Sequence, residues 1–290
     1  MTDNGWDFQE GDEIVAGRYA LKLLGGGSRY EAYLAWDDDM HCLVVAKLLR
    51  PHVVEDENAL RNLRSEAEAL AGLIHPVLLR SFGIVTEGPH PHLVLEHLEG
   101  PRLSTLLRKQ RKLALEQAIP LGVQLSSALI YMHHHEMVHL DVKPKNIIMG
   151  APPRLIDLSV ARSFSKASAA TDVIGTDAYM APEQCEPKLL GGMSPASDVW
   201  GWGVTMYEAI TGRLPFPRIP DSDDDAARFP QLHLDPAPMD ETPDRLIELI
   251  MSTLEKQPAN RPGMKEAAAD LEEMSAALPR RFVLSRLRPR

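Results

Sequence analysis

The segment that decides the fold reads HLDVKPKN and covers residues 139–146, with apolar residues directly after it. It offers a carboxylate at Asp141, an ammonium group at Lys143 and an amide at Asn146. Transfer of a phosphoryl group needs a carboxylate to orient the attacking hydroxyl, cations to balance phosphate charge and fixed ligands for magnesium. One short loop therefore supplies a group for each of these tasks.

Composition sets the outer limits of the interpretation. The chain has 290 residues, 44% of them hydrophobic, and a formal net charge of −10. This length suits one large two-lobed domain or two small ones, and the acidic balance argues against nucleic acid as the main partner. Cys42 and Cys185 cannot build a disulfide framework, so we expect a reducing, cytoplasmic location. The sequence has no signal-peptide pattern or membrane-spanning apolar run, so we expect a soluble chain.

Short apolar runs alternate with turn residues in the first third of the chain. The predicted strands are residues 19–24, 30–36, 43–48, 78–85 and 92–98. Glycines 25–27 and aspartates 37–39 separate the first three strands, which predicts an antiparallel meander. Residues 55–72 change to the helical period. The sequence therefore predicts a five-stranded antiparallel sheet that carries one helix.

Helical periodicity dominates the rest of the chain. The predicted helices are residues 115–135, 197–211, 241–254 and 264–277. The predicted fold is α+β and two-lobed. Its parts are a small N-lobe over residues 1–98 with a leader segment at 1–16, a larger helical C-lobe over residues 99–279, and a basic tail over residues 280–290.

The segment at 139–146 resembles the catalytic loop HRDxKxxN of eukaryotic-type (Hanks-type) protein kinases. The further motifs follow in family order: VVAK ending at Lys47, Glu66 on the next helix, DLS from Asp157, GT at 175–176, APE at 181–183, DVWGWG at 198–203 and NRP at 260–262. The resemblance runs from about residue 19 to about residue 271. Lys143-Pro144 and Thr176 resemble serine/threonine kinases, and the short loops resemble their bacterial branch.

The resemblance implies roles for four catalytic residues. Lys47, positioned by Glu66, would hold the α- and β-phosphates of ATP. Asp141 would orient the substrate hydroxyl and accept its proton. Lys143 would steady the γ-phosphate as charge shifts.

The resemblance also implies a binding site for ATP and Mg²⁺. Asn146 and Asp157 would bind the metal, Leu95 would be the gatekeeper, and the backbones of Glu96 and Leu98 would bond adenine. The other implied nucleotide-binding residues are Gly25, Gly26, Gly27, Ala32, Ala46, Lys47 and Glu99.

Several positions depart from the family pattern. Tyr30 replaces the third glycine of GxGxxG, and Ala32 replaces the valine that caps adenine. Leu140 replaces the arginine that holds a phosphorylated activation loop, so we expect activity without that phosphate. Leu158 and Ser159 replace the last two residues of DFG, and Ser159 loses the freedom of glycine at positive φ. All charged catalytic groups remain, which predicts an active enzyme of modest turnover.

Two other functions stay open. A pseudokinase that binds nucleotide or a partner without catalysis would account for Tyr30 and Ser159. A small-molecule phosphotransferase of the aminoglycoside-kinase type shares the Asp–Asn spacing, but the APE segment and Asp198 are features of kinases with protein substrates. The expected partners are protein substrates, with self-association for autophosphorylation as a further possibility. The sites open to it are Ser163, Ser165, Ser168 and Thr171.

Three weaker patterns have ordinary interpretations. Histidines 133–135 point to different faces of a helix, so we expect surface residues rather than a metal site. Asp221 and the aspartates 223–225 suit a solvated loop, or a docking site for basic substrates. The basic tail at 280–290 is either solvated or a juxtamembrane segment.

Overall fold

The first lobe is built on an antiparallel sheet. The computed structural model of the chain describes residues 5–217 and 225–277. The strands of this sheet are β1 Glu13–Val15, β2 Arg18–Gly26, β3 Tyr30–Asp37, β4 Cys42–Leu49, β5 Ser81–Val85 and β6 His92–Glu96. They are hydrogen-bonded in the order β1-β2-β3-β4-β6-β5. The five predicted strands are all present, and β1 adds a short sixth strand from within the predicted leader segment.

Strand β4 divides its side chains between the two faces of the sheet, as the period of two requires. Lys47 lies on the face toward the second lobe, directly opposite Ala32 of β3. The other face carries an apolar cluster under the leader segment. Its buried members are Ile14, Ala20, Tyr33, Ala35, Val44, Ala46, Leu48 and Val94.

Helix α1, Glu57–Gly72, lies against this sheet and begins at an Asp56 cap whose side chain accepts from the N–H of Asn58. Its buried residues are Ala59, Leu63, Glu66 and Leu70. Their spacing follows one face of a helix. A carboxylate at position 66 is therefore carried into the interior by an otherwise apolar face.

The second lobe is mainly helical. Its helices are α2 Leu103–Gln110, α3 Leu115–His134, α4 Phe164–Ser168, α5 Pro182–Cys185, α6 Pro187–Leu190, α7 Pro195–Thr211, α8 Asp225–Arg228, α9 Asp244–Thr253 and α10 Met264–Ala277. Two short antiparallel pairs of strands complete this lobe, formed by β7 Met137–Val138 with β10 Arg162–Ser163, and by β8 Ile147–Ile148 with β9 Arg154–Leu155. The two-lobed α+β prediction is confirmed.

Helix α3 packs closely against α7 and α10 at Gly122. A Cβ at this position would lie 2.8 Å from Leu271 and 3.3 Å from Trp202, so only glycine fits without movement. Trp202 of α7 is fully buried at this junction, and its indole N–H donates to the carbonyl of Gly122 at 3.3 Å. Helix α7 is therefore a central support on which the catalytic loop rests.

Within the described residues, no helix is both long enough and apolar enough to cross a bilayer. The basic tail at 280–290 and the aspartates at 221, 223 and 224 lie outside those residues.

Candidate active site

Three charged side chains meet at the cleft face of the sheet. The Nζ atom of Lys47 donates to both carboxylate oxygens of Glu66, at 2.8 and 2.9 Å, and to Oδ1 of Asp157 at 2.9 Å. Strand β4, helix α1 and the segment after β9 each supply one member. The structure thus brings together residues that are 19 and 110 positions apart in the sequence.

Burial and charge oppose each other in this triad. Burial alone would lower the pKa of Lys47, but the carboxylates of Glu66 and Asp157 outweigh it and hold that pKa above its usual value. Burial would raise the pKa of Asp157, but Lys47 holds it well below its ordinary range. Burial raises the pKa of Glu66 despite its contact with Lys47. The ammonium group therefore stays charged, with one carboxylate on either side.

The carboxylate of Asp141 is bonded on both oxygens. Oδ2 accepts from Lys143 Nζ at 2.6 Å and from Asn146 Nδ2 at 2.9 Å. Oδ1 accepts from the hydroxyl of Thr176 at 2.7 Å, and Lys143 also contacts that hydroxyl. The three predicted groups of residues 139–146 therefore converge, and the activation segment adds the hydroxyl of Thr176.

Asn146 and Asp157 lie on neighbouring segments. The N–H of Ile156 donates to the carbonyl of Asn146 at 2.9 Å, which joins the two segments one residue before Asp157. The side-chain amide nitrogen of Asn146 donates to Asp141, so the side-chain oxygen Oδ1 of Asn146 remains for a ligand. Lys47 contacts only Oδ1 of Asp157. Oxygen donors of this kind are what Mg²⁺ selects, with water and phosphate completing its shell.

The DLS segment keeps its shape despite its departures. Asp157 itself adopts a positive φ of 70°, whereas Ser159 does not have a positive φ. Leu158 is buried and belongs to the same apolar cluster as Leu70 of α1. Serine at position 159 therefore causes no backbone strain in this conformation, because the residue with the left-handed backbone is Asp157.

Strands β2 and β3 are joined by a glycine hairpin, which we define as residues 25–30. A Cβ on Gly26 would lie 2.6 Å from the carbonyl oxygen of Tyr30, and Gly25 has a φ of +139°. These two positions therefore require glycine. The Tyr30 ring lies over Lys47, with 4.8 Å from Nζ to the ring centroid.

The connection between the lobes is fixed by an ion pair. The carboxylate of Glu96 accepts from Arg154 Nη1 at 3.0 Å and from the backbone N–H of Arg80 at 2.8 Å. Leu98 makes none of the backbone hydrogen bonds found outside helices and strands in the described chain. Its N–H and carbonyl remain for a ligand. Leu95 is buried directly before this connection and Glu99 is exposed directly after it.

Ala46 does not face the nucleotide cleft, which corrects our prediction. It belongs to the buried cluster on the opposite face of the sheet. Consecutive residues of a strand point to opposite faces, so the residue that shares the face of Lys47 is Val45, two positions before it. Val45 packs against the main core on that side.

His133 is a supporting residue that the sequence interpretation missed. It is not an open surface residue, because its Nε2 lies 2.9 Å from Oδ2 of Asp198 and its side chain is 14% exposed. The same carboxylate accepts from the backbone N–H groups of His139 and Leu140, at 2.8 and 2.7 Å. Helix α7 thus fixes the start of the catalytic loop. The described residues contain no cluster of metal-binding side chains.

Leu140 anchors the activation segment through apolar contacts. It is 3% exposed and has a positive φ of 63°. Its buried cluster contains Val138, Leu140, Ala167, Ile174 and Met193. Helix α4 and the residues after it are therefore held against the catalytic loop by packing, at the position where arginine would need a phosphate partner.

A two-lobed fold whose cleft carries this triad and this catalytic loop is the fold of the protein kinases. A sequence profile described as the protein kinase domain matches residues 19–271, so the chain belongs to the protein kinase family. It is 30% identical over 280 residues to the serine/threonine-protein kinase PknB of Mycobacterium leprae, covering 91% of this chain and 44% of that protein.

Two further relatives are similar. PknA of Mycobacterium tuberculosis, a serine/threonine-protein kinase, is 32% identical over 260 residues, covering 85% of this chain and 58% of that protein. The serine/threonine-protein kinase PrkC of Bacillus subtilis is 30% identical over 208 residues, covering 70% and 32%. The chain thus spans between 32% and 58% of the length of these relatives. The relatives agree with a bacterial branch of the Hanks-type family.

Proposed function

We propose that this chain is a kinase domain that transfers the γ-phosphate of Mg·ATP to serine or threonine hydroxyls of proteins. The observation that carries the proposal is the bonding of Asp141, whose carboxylate is held by Lys143, Asn146 and the Thr176 hydroxyl. Phosphoryl transfer depends on positioning and electrostatics, and these groups are already ordered for it. The names of the relatives, all serine/threonine-protein kinases, support hydroxyl substrates.

In the proposed mechanism, a substrate hydroxyl displaces Thr176 from Oδ1 of Asp141. The hydroxyl oxygen attacks the γ-phosphorus while its proton passes to Asp141. The bond between the γ-phosphorus and the bridging oxygen breaks, and ADP leaves with the electron pair. Lys47 balances charge on the phosphates, and Lys143 balances charge on the group in transfer.

We propose Asn146 and Asp157 as the residues that hold Mg²⁺. The metal would neutralise phosphate charge as the bond to ADP breaks. The support is the side-chain oxygen Oδ1 of Asn146 and the carboxylate of Asp157. The segments that carry them are joined by a backbone hydrogen bond. Gly25, Gly26, Gly27, Ala32, Leu95, Glu96, Leu98 and Glu99 remain proposed contacts of the nucleotide.

The test compares the wild type with Asp141→Asn by intact mass after incubation with Mg·ATP and a basic protein. We expect the variant to lose about 10²- to 10⁴-fold in rate, because the base is gone, while nucleotide affinity stays unchanged. Asp39→Asn, on an exposed turn, is the matched control. If Asp141→Asn kept most of the rate, the assignment of the base would be wrong.

A pseudokinase is the second candidate, and the observation in its favour is the Tyr30 ring over Lys47. Nucleotide binding by the wild type without added mass on any protein would favour it. For the active kinase we also propose a cytoplasmic location, which the free thiols of Cys42 and Cys185 support. Self-association and a juxtamembrane tail remain predictions from the sequence.

A further inference from the structure

Trp6 is fixed to the face of the sheet that lies away from the nucleotide cleft. Its indole Nε1 donates to the carbonyl of Leu49 at 2.7 Å, and its backbone N–H donates to Oε2 of Glu31 at 3.0 Å. The ring of His90 packs edge-on against the indole, with centroids 4.4 Å apart. Both the side chain and the backbone of Trp6 are therefore held in place.

Glu31 is a buried carboxylate that the proposed mechanism does not use. It is 4% exposed, and a buried carboxylate needs a partner for each oxygen. Trp6 binds one oxygen, and Nη2 of Arg50 lies 3.4 Å from the other. Tyr30 and Ala32, on either side of Glu31, face the cleft. The carboxylate therefore sits behind the base of the glycine hairpin.

Arg50 connects this carboxylate to the tip of the hairpin. Its Nε donates to the carbonyl of Gly27 at 2.7 Å, and its backbone N–H donates to the carbonyl of Arg29 at 2.9 Å. The N–H of Gly27 in turn donates to the carbonyl of Tyr30 at 2.9 Å. The hairpin is thus closed on itself and tied to strand β4 through one guanidinium group.

We propose that Trp6 is a positioning residue for nucleotide phosphates: through Glu31 and Arg50 it holds the glycine hairpin over Lys47. This inference rests on the proposed binding of ATP. Without the indole, the backbone of Trp6 loses its anchor on the carbonyl of Leu49. Its N–H then no longer holds Oε2 of Glu31 in place, and the carboxylate no longer orients Arg50. The backbone N–H groups of the hairpin are then less ordered before the phosphates arrive, which lowers affinity.

The test is calorimetric titration of the 290-residue chain with adenosine and with a non-hydrolysable Mg·ATP analogue. For Trp6→Ala we expect about fivefold to tenfold weaker binding of the analogue, in line with one or two lost hydrogen bonds. Adenosine binding should stay within about twofold, since the adenine and ribose contacts lie elsewhere. The control is Trp36→Ala on the same sheet, whose indole bonds only to Asp38.

Two conservative variants separate positioning from simple loss of stability. Glu31→Gln keeps an acceptor for Trp6 and removes the charge that faces Arg50. Arg50→Lys keeps the charge and removes the Nε bond to Gly27. We expect both variants to bind the Mg·ATP analogue more weakly and to bind adenosine as the wild type does. The unfolding temperature without ligand is measured for each, and Arg50→Lys carries the test if Trp6→Ala fails to fold.

The outcomes are distinguishable. The proposal is overturned if Trp6→Ala binds the analogue as the wild type does, or if the analogue and adenosine weaken by the same factor. A wild type that binds neither ligand would overturn the proposed function, and this inference with it.

Discussion

His92 is a buried histidine whose ring has one bonding pattern. Its Nδ1 donates to the carbonyl of His90 at 2.6 Å, and its Nε2 accepts from Nη1 of Arg18 at 2.8 Å. Arg18 is also paired with Asp37 at 2.6 Å. Burial is the main cause that lowers the pKa of His92 to about 4, and the nearby Arg18 charge acts in the same direction. The neutral imidazole is therefore part of the native structure.

The pKa of His92 predicts a pH-dependent stability. Between pH 6.5 and pH 4 the unfolded chain binds a proton at this position and the folded chain does not, so the free energy of unfolding rises with pH in that window. Above pH 6.5 the contribution is complete, at up to about 3 kcal/mol. Urea unfolding measured from pH 4 to pH 7 should show a smaller rise of the free energy of unfolding with pH for His92→Gln than for the wild type. If the free energy of unfolding rose equally with pH in His92→Gln and in the exposed control His134→Gln, the prediction would be contradicted.

At the scale of an element, the activation segment is packed on the catalytic loop through apolar side chains. The cluster around Leu140 includes Ala167 and Phe164 of helix α4. We therefore expect the segment to be ordered for catalysis before any modification. Leu140→Ala would remove about 2–4 kcal/mol of this packing, because the site is buried.

The prediction concerns a variant without the four hydroxyls of the segment that were named as possible autophosphorylation sites. The substitutions are Ser163→Ala, Ser165→Ala, Ser168→Ala and Thr171→Ala. We expect its initial rate of transfer to a protein substrate to stay within about twofold of the wild type, because the bonds that these hydroxyls make stay within residues 163–168 and outside the cluster around Leu140. Leu140→Ala should lose far more, and Leu234→Ala, 45% exposed, is its control. A quadruple variant that lost most of its rate would show that phosphate is needed.

Long elements were predictable from the sequence because their signals are local. Helix α10 has the predicted bounds, and α3 ends one residue before the predicted end. Strand β1 was missed because three residues are too few to show a period. Ala46 was wrongly assigned to the nucleotide site because the motif was matched by residue type. Along a strand every second residue lies on the same face, so Val45 and not Ala46 shares the face of Lys47.

Contacts between distant residues were harder to predict. His133 was missed because its partner Asp198 is 65 positions away. The positions of Asp141 and Asn146 were predictable because one loop holds both. The pairing of Trp6 with Glu31 left no signal beyond a tryptophan in a polar segment, since neither residue belongs to a motif.

The second lobe is held together by a buried ion pair. Arg261 forms two bonds with Glu183, at 2.7 and 2.9 Å, and both side chains are fully buried. Its remaining N–H groups donate to backbone carbonyls, and its guanidinium lies 5.0 Å from the Trp200 ring centroid. The hydroxyl of Ser197 adds a bond to Glu183 at 2.7 Å. All five donors of the guanidinium are used, which ties the APE segment to the start of α7 and to the loop before α10.

Removing one partner of this pair should destabilise the whole lobe. We expect Arg261→Met to lower the free energy of unfolding by about 3–5 kcal/mol, because it leaves Glu183 charged and buried. Adding Glu183→Gln should restore part of the loss. Arg245→Met breaks exposed ion pairs and should have a much smaller effect. Denaturant unfolding measures all of these, and equal effects of the two arginine substitutions would refute the prediction.

The hydroxyl of Thr176 donates to Oδ1 of Asp141, the oxygen that the proposed mechanism assigns to the substrate hydroxyl. A stray water molecule would have to displace it to attack ATP, and it brings only its own hydrogen bonds to that exchange. A protein substrate brings its hydroxyl together with every contact of its flanking chain, so it can displace the threonine. In the proposed kinase, Thr176 therefore also disfavours hydrolysis of ATP by water, and the γ-phosphate is transferred when a protein substrate is bound.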